Sequence, residues 1–287
     1  PDDDTALLVE FFDRWGMIIH TNTRRKLENI FTREAFARTD AEGVGEAVFF
    51  SNVIAQYIEG VMQTADFTLI REAQFKVALY YDARNFTSFL PVLLSRIGCG
   101  IITPEGLEEG RGVKTLEDIA TGIEVLKETV ISNGADIGVL IDQNADRLVL
   151  IDEKGQVITE EQMVILVCFL LLRFTRRQAV PIPVAAPRVI EELAHEYDGL
   201  VLKSQAVNTG MIMTGVTETK VLFEGDEMPE FQIMCDAITS LVKILELMGR
   251  ENLSLSELVA TMPAVYLDKQ EVHCPADEKA GVMRMLL

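Results

Sequence analysis

The stretch Asp142-Gln143-Asn144-Ala145-Asp146-Arg147 places oxygen-bearing side chains at three alternate positions, with a guanidinium directly after them. In a tight loop, Asp142, Asn144 and Asp146 can converge on one hard cation. Arg147 adds a planar fork that suits a phosphate. A cation beside a guanidinium is what phosphoryl transfer needs, because that chemistry is mostly positioning and charge neutralisation. Two other readings compete on the residues alone. The string can be a polar hairpin turn with solvated carboxylates. It can also be set against an EF-hand, since Glu153 stands twelfth from Asp142. The EF-hand reading fails at the sixth position, where Arg147 replaces the required glycine, and in its flanks, which are apolar strands rather than helices.

The elements around the loop read as alternating α and β. Residues 137–141 and 148–152 are short apolar strands on either side of it, and Glu153-Lys154-Gly155 supplies a turn. The helix expected over 115–133 carries Leu116, Ile119, Ile123, Leu126 and Val130 along one side and ends at Asn133-Gly134. Upstream, 76–82 is a strand ending in a carboxylate, followed by a helix over 87–97 and a strand at 100–102. The turn Ala83-Arg84-Asn85-Phe86 lacks the glycine fingerprint of a dinucleotide site. A helix is also expected over 45–65, and a polar one over 23–31.

The second half repeats the alternation. Helices are expected over 161–174, from Pro187, and over 231–248. Strands are expected at 180–186, 200–203 and 220–223. Ser254 and Glu257 form a capping box for a last helix running to about Thr261. The fold class is α/β, with two consecutive α/β/α domains and mixed sheets. The expected division is 1–40 as the tail of a first domain, 41–156, 157–263, and 264–287 as the start of a fourth.

Composition narrows the functional classes. The chain has 287 residues, 48% hydrophobic and 25% charged, a globular balance. Its net charge is −19, which repels a phosphate backbone and argues against nucleic acid as a partner. The apolar run at 164–172 falls short of the roughly 20 residues that span a bilayer, so it reads as a buried helix and not a membrane segment. Cys99, Cys168, Cys235 and Cys274 are widely spaced without a C-x-x-C pair, and read as free thiols in a reducing cytoplasm.

The segment from Gly134 to Gly155, with the 142–147 loop at its centre, resembles the α-D-phosphohexomutase family around its D-G-D-A-D-R metal loop. That family comprises the phosphoglucomutases and phosphomannomutases. Residues 222–230 (Leu-Phe-Glu-Gly-Asp-Glu-Met-Pro-Glu) fall where the family carries its G-E-x-S-G-H sugar loop. The early Val9-Glu10-Phe11-Phe12-Asp13 resembles the end of the family's first domain, and Met262-Pro263 the entry to its fourth. The resemblance implies an isomerase that moves phosphate between C1 and C6 of a hexose through a phosphoserine and magnesium. By residue, it implies Asp142, Asn144 and Asp146 as magnesium ligands, Arg147 on the phosphoserine, and Glu224, Asp226, Met228 and Glu230 at the sugar. It further implies that the loops 142–147 and 224–230 face one shared cleft.

The departures matter equally. Gln143 stands where the family has glycine, Asn144 where it has aspartate, Met228 where it has serine and Glu230 where it has histidine. Val207-Asn208-Thr209-Gly210 departs from the usual glycine- and lysine-bearing loop. The catalytic serine loop and the phosphate-binding loop belong to flanking domains that this stretch does not carry. The expectation is a module for hexose phosphates, impaired as a mutase, with magnesium binding weak or lost. Some divergent relatives follow a sugar-nucleotidyltransferase domain, of mannose-1-phosphate guanylyltransferase type. A non-catalytic sugar-phosphate-binding or homo-oligomerisation module of such a protein is the alternative.

Overall fold

The structure is a computed structural model describing residues 11–12, 19, 21–36, 39–40, 43, 52–81, 86–104, 116–142, 145, 147–174, 179–183, 186–204, 236–263, 274–275 and 281–282. Its main body is a four-stranded mixed sheet in the order β2-β1-β3-β4, formed by β1 (Lys76–Tyr80), β2 (Gly100–Ile102), β3 (Ile137–Ile141) and β4 (Leu148–Asp152). β1 pairs in parallel with both β2 and β3, while β3 and β4 form an antiparallel hairpin with Ile141 opposite Leu148.

β1 and β3 are apolar almost throughout because both faces of the sheet are covered. Alternate side chains go to opposite cores. Val77, Leu79, Val139, Ile141 and Leu150 enter the larger one. Ala78, Tyr80, Leu140 and Ile151 enter the smaller, with Leu126 and Val130 of the helix α5 (Leu116–Asn133). The larger core takes the helices on the opposite face: α2 (Val53–Thr64), α3 (Phe67–Ala73), α4 (Leu90–Arg96), α6 (Glu160–Phe174) and α8 (Ala237–Glu251). The short α1 (Thr21–Thr32) lies upstream of these.

A second, parallel pair is formed by β5 (Ala179–Pro183) and β6 (Leu200–Ser204), joined through α7 (Val189–Glu196). β5 is shorter at its end than the expected 180–186, since Ala186 already lies in a bend before α7. Pro181 and Pro183 each lack an N–H, so β5 carries fewer ladder donors than its length would otherwise give.

The helix expected over 231–248 begins at Ala237 instead. Asp236 is extended (φ −124°, ψ 106°) and caps it, its carboxylate accepting from the N–H groups of Ile238 and Thr239. Its last turns lie against α3 at Gly249, where an added Cβ would come within 2.9 Å of the Leu69 carbonyl oxygen. The expected capping box is present at α9 (Leu255–Ala260), with Ser254 and Glu257 bonding each other's backbone N–H. Among the described residues, no helix is long and apolar enough to cross a membrane.

Candidate functional site

The 142–147 loop leaves the carboxyl end of β3, beside the carboxyl end of its parallel neighbour β1. In open α/β sheets this edge is where ligands are received, because loops and strand-end side chains converge there. The loop is closed by its own backbone. Asp142 N–H donates to the Arg147 carbonyl at 3.3 Å, and Ala145 N–H donates to the Asp142 carbonyl at 3.1 Å. One carboxylate oxygen of Asp142 accepts from the N–H of Arg147 at 3.1 Å.

Asp142 is half-buried and Arg147 exposed, so a carboxylate fixed at the strand end by a backbone N–H is followed in the chain by a solvent-exposed arginine. Ala145 is buried and left-handed (φ 56°). Alanine seldom adopts that region, since its Cβ crowds the following carbonyl. Gln143, which stands where the resembled family has glycine, lies outside the described residues. In the described part of the loop, the left-handed residue is Ala145.

The loop is also tied to the start of α8, a contact between segments distant in sequence. The carbonyl of Ala145 accepts from the N–H of Ala237 at 2.9 Å. Asp236, the cap of α8, also accepts from the Tyr57 hydroxyl at 2.7 Å and the Thr239 hydroxyl at 2.9 Å. The Tyr57 ring stands edge-on to Phe89, with centroids 5.6 Å apart. Only the aspartate left a trace in sequence, as an N-cap residue ahead of an apolar-periodic run.

Asn144 and Asp146 lie outside the described residues, as do Glu224, Asp226, Met228 and Glu230. The distance between the two expected loops is therefore outside them too. Among the described residues, no three His, Cys, Asp or Glu side chains gather as a metal site. A pocket of about 610 Å³ lies at the opposite end of β4, where Asp152, Lys154, Gln162, Ser256 and Met262 line it. The length of β4 separates it from the loop by roughly 15 Å, so it is a different place from the phosphate-type residues.

No family model matches the chain. Curated proteins do. It is 26% identical over 286 residues to the phosphoglucomutase/phosphomannomutase of Thermococcus kodakarensis, covering 96% of this chain and 62% of that protein. It is 22% identical over 291 residues to the phosphoglucosamine mutase of Methanocaldococcus jannaschii, covering 97% and 63%. The chain thus spans about three fifths of the length of these relatives. Among solved structures, a phosphoglucomutase/phosphomannomutase family protein from Burkholderia thailandensis superposes with a TM-score of 0.67 at 17% identity, over 88% of this chain and 54% of that one. The last comparison speaks to fold, and the α/β architecture with its mixed sheet is the one it shares. The chain is thus similar in sequence to curated proteins of the α-D-phosphohexomutase superfamily, and its α/β fold agrees with that similarity.

Proposed function

We propose that this chain is a phosphohexomutase-type module that binds hexose phosphates and is impaired in the mutase reaction itself. The observation that carries the reading is the closed loop at the carboxyl end of β3, in which the Arg147 N–H pins the Asp142 carboxylate and Arg147 itself is exposed. Its support beyond the loop is the chain-long similarity to mutases that act, by their names, on phosphoglucose, phosphomannose or phosphoglucosamine. In this reading Arg147 would take a phosphate oxygen pair, and Glu224, Asp226, Met228 and Glu230 would hold the sugar.

The donor set suits magnesium, and suits it weakly. Magnesium is commonly held by one or two carboxylates together with phosphate oxygens and waters. Asp142 and Asp146 would supply two carboxylates, and Asn144 a neutral oxygen in place of a third. When bound, the ion would neutralise phosphate charge at the point of transfer. The part of the chain's own residues is to hold the phosphate through Arg147 and to keep Asp142 aimed from the strand end.

Calorimetry with magnesium and a hexose 1-phosphate, on the chain and on its Asn144→Asp variant, tests this. Restoring one negative charge should tighten magnesium binding on the order of tenfold. Tight binding by the unaltered chain, or no gain in the variant, would overturn the reading of a weakened metal loop.

A further inference from the structure

The buried carbonyl of Ala145 and the first N–H of α8 solve each other's problem. A buried carbonyl requires a donor, and the first N–H groups of a helix have no partner inside it. Ala145 is 5% exposed and Ala237 3% exposed, and the bond between them is 2.9 Å long. Ala145 lies between positions 144 and 146, so anchoring its carbonyl restrains the peptide units on both sides. It also holds a non-glycine residue in the left-handed region, which the loop alone favours little.

The helix end that provides the anchor is itself fixed. Ile238, Leu241 and Val242 of α8 are fully buried. Asp236 gathers two backbone N–H groups, the Thr239 hydroxyl and the Tyr57 hydroxyl. Tyr57 in turn rests on Phe89, which leads from the carboxyl end of β1 into α4. Four segments far apart in sequence therefore meet behind the loop.

We propose that the first turn of α8 is a strut setting the geometry of the 142–147 loop, with Ala237, Asp236 and Tyr57 as positioning residues for whatever that loop holds. Its consequence for ligands rests on the functional reading above, but the strut itself can be tested without a ligand.

Ala237→Pro is the direct probe. Proline at the first helical position lacks only an N–H that the helix does not use, and its ring presets the helical φ. Asp236, at φ −124° and ψ 106°, is already in the extended region that a residue before proline takes up. Amide hydrogen exchange should quicken about tenfold at Ala145 and Arg147, the change expected for one lost hydrogen bond. Core amides such as Val130 and Leu140 should keep their rates, which separates local release of the loop from general loss of stability. Tyr57→Phe, which removes one contact to Asp236 and adds no bulk, should give the same local pattern at about threefold.

Unchanged exchange at Ala145 and Arg147 in either folded variant overturns the strut, and equal quickening at all amides does so as well. If Ala237→Pro does not fold, the Tyr57→Phe result decides. Calorimetry with magnesium and a hexose 1-phosphate then separates the two ideas. Faster loop exchange in a chain that binds neither ligand upholds the strut and removes the functional reading. Ligand binding of equal strength in the unaltered and variant chains, with loop exchange unchanged, does the reverse.

Discussion

Glu153 accepts a hydrogen bond from the hydroxyl of Ser254 at 2.9 Å, joining the turn after β4 to the cap of α9 across 101 residues. Ser256 adds its N–H at 3.2 Å and its own hydroxyl to the same carboxylate. The turn is shaped from within by Asp152, whose carboxylate takes the N–H groups of Lys154 and Gln156 at 3.0 and 2.8 Å. One acidic residue thus folds the turn, and its neighbour ties the turn to a distant helix.

Acid should release that tie. Burial alone would raise the pKa of Glu153, but the hydrogen bonds from Ser256, from its own backbone N–H and from Ser254 outweigh it and hold the carboxyl below its ordinary 4.5. A group depressed in the folded state adds stability above its unfolded pKa and loses it as pH falls through the folded value. Glu153→Gln is expected to lower unfolding stability by about 1–2 kcal/mol at neutral pH. Urea titrations of both proteins should show that gap closing as pH drops below 4.5. A gap of constant size would mean that the charge of Glu153 is not what the serines hold.

Two helical glycines should respond in opposite directions to alanine. At Gly249 a Cβ would meet the Leu69 carbonyl oxygen at 2.9 Å and its carbon at 3.2 Å, and backbone cannot swing aside. At Gly60 in α2 nothing lies within 4 Å. Gly60→Ala should therefore stabilise by about 0.5–1 kcal/mol through helix propensity. Gly249→Ala should destabilise by about 1–2 kcal/mol, overpacking exceeding the same propensity gain. Thermal melts of the pair decide it, and a stabilising Gly249→Ala would show that α3 and α8 have room to separate.

Buried thiols should stay silent in the native protein. Burial, and then the negative charge of Asp136, push Cys99 up to about 12. Burial alone takes Cys168 up to about 12. The thiolate is the reactive form, so a thiol reagent at pH 8 should leave both unmodified until denaturant is added. Cys274, which is only half-buried, should label in the native state. Peptide mapping after a short pulse reads each position, and modification of Cys99 or Cys168 alongside Cys274 would contradict the burial of these two.

Local order was legible in the sequence where local physics decides it. β3 and β4 have the bounds expected from their apolar runs, because a strand covered on both faces admits hydrophobic side chains at every position. The helix Leu116–Asn133 follows its one-sided stripe, and the box at Ser254 and Glu257 is written in two residues three apart. The 142–147 loop could be picked out in the same way, since its donors are neighbours in the chain.

What tertiary structure alone decided is the setting of that loop. Nothing in the neighbourhood of Ala145 announces a left-handed turn, and nothing near Tyr57 announces a hydroxyl for Asp236. The apolar residues ahead of Asp236 suggest an earlier helix start, and the capping carboxylate stands at the N-terminus of α8 instead. Such contacts depend on where segments distant in sequence come to rest when α8 packs on α2, α3 and β4. A buried carbonyl or a helix N–H specifies only that it must be satisfied. Which partner satisfies it is chosen by the packing of the whole core, and a sequence read one window at a time does not contain that choice.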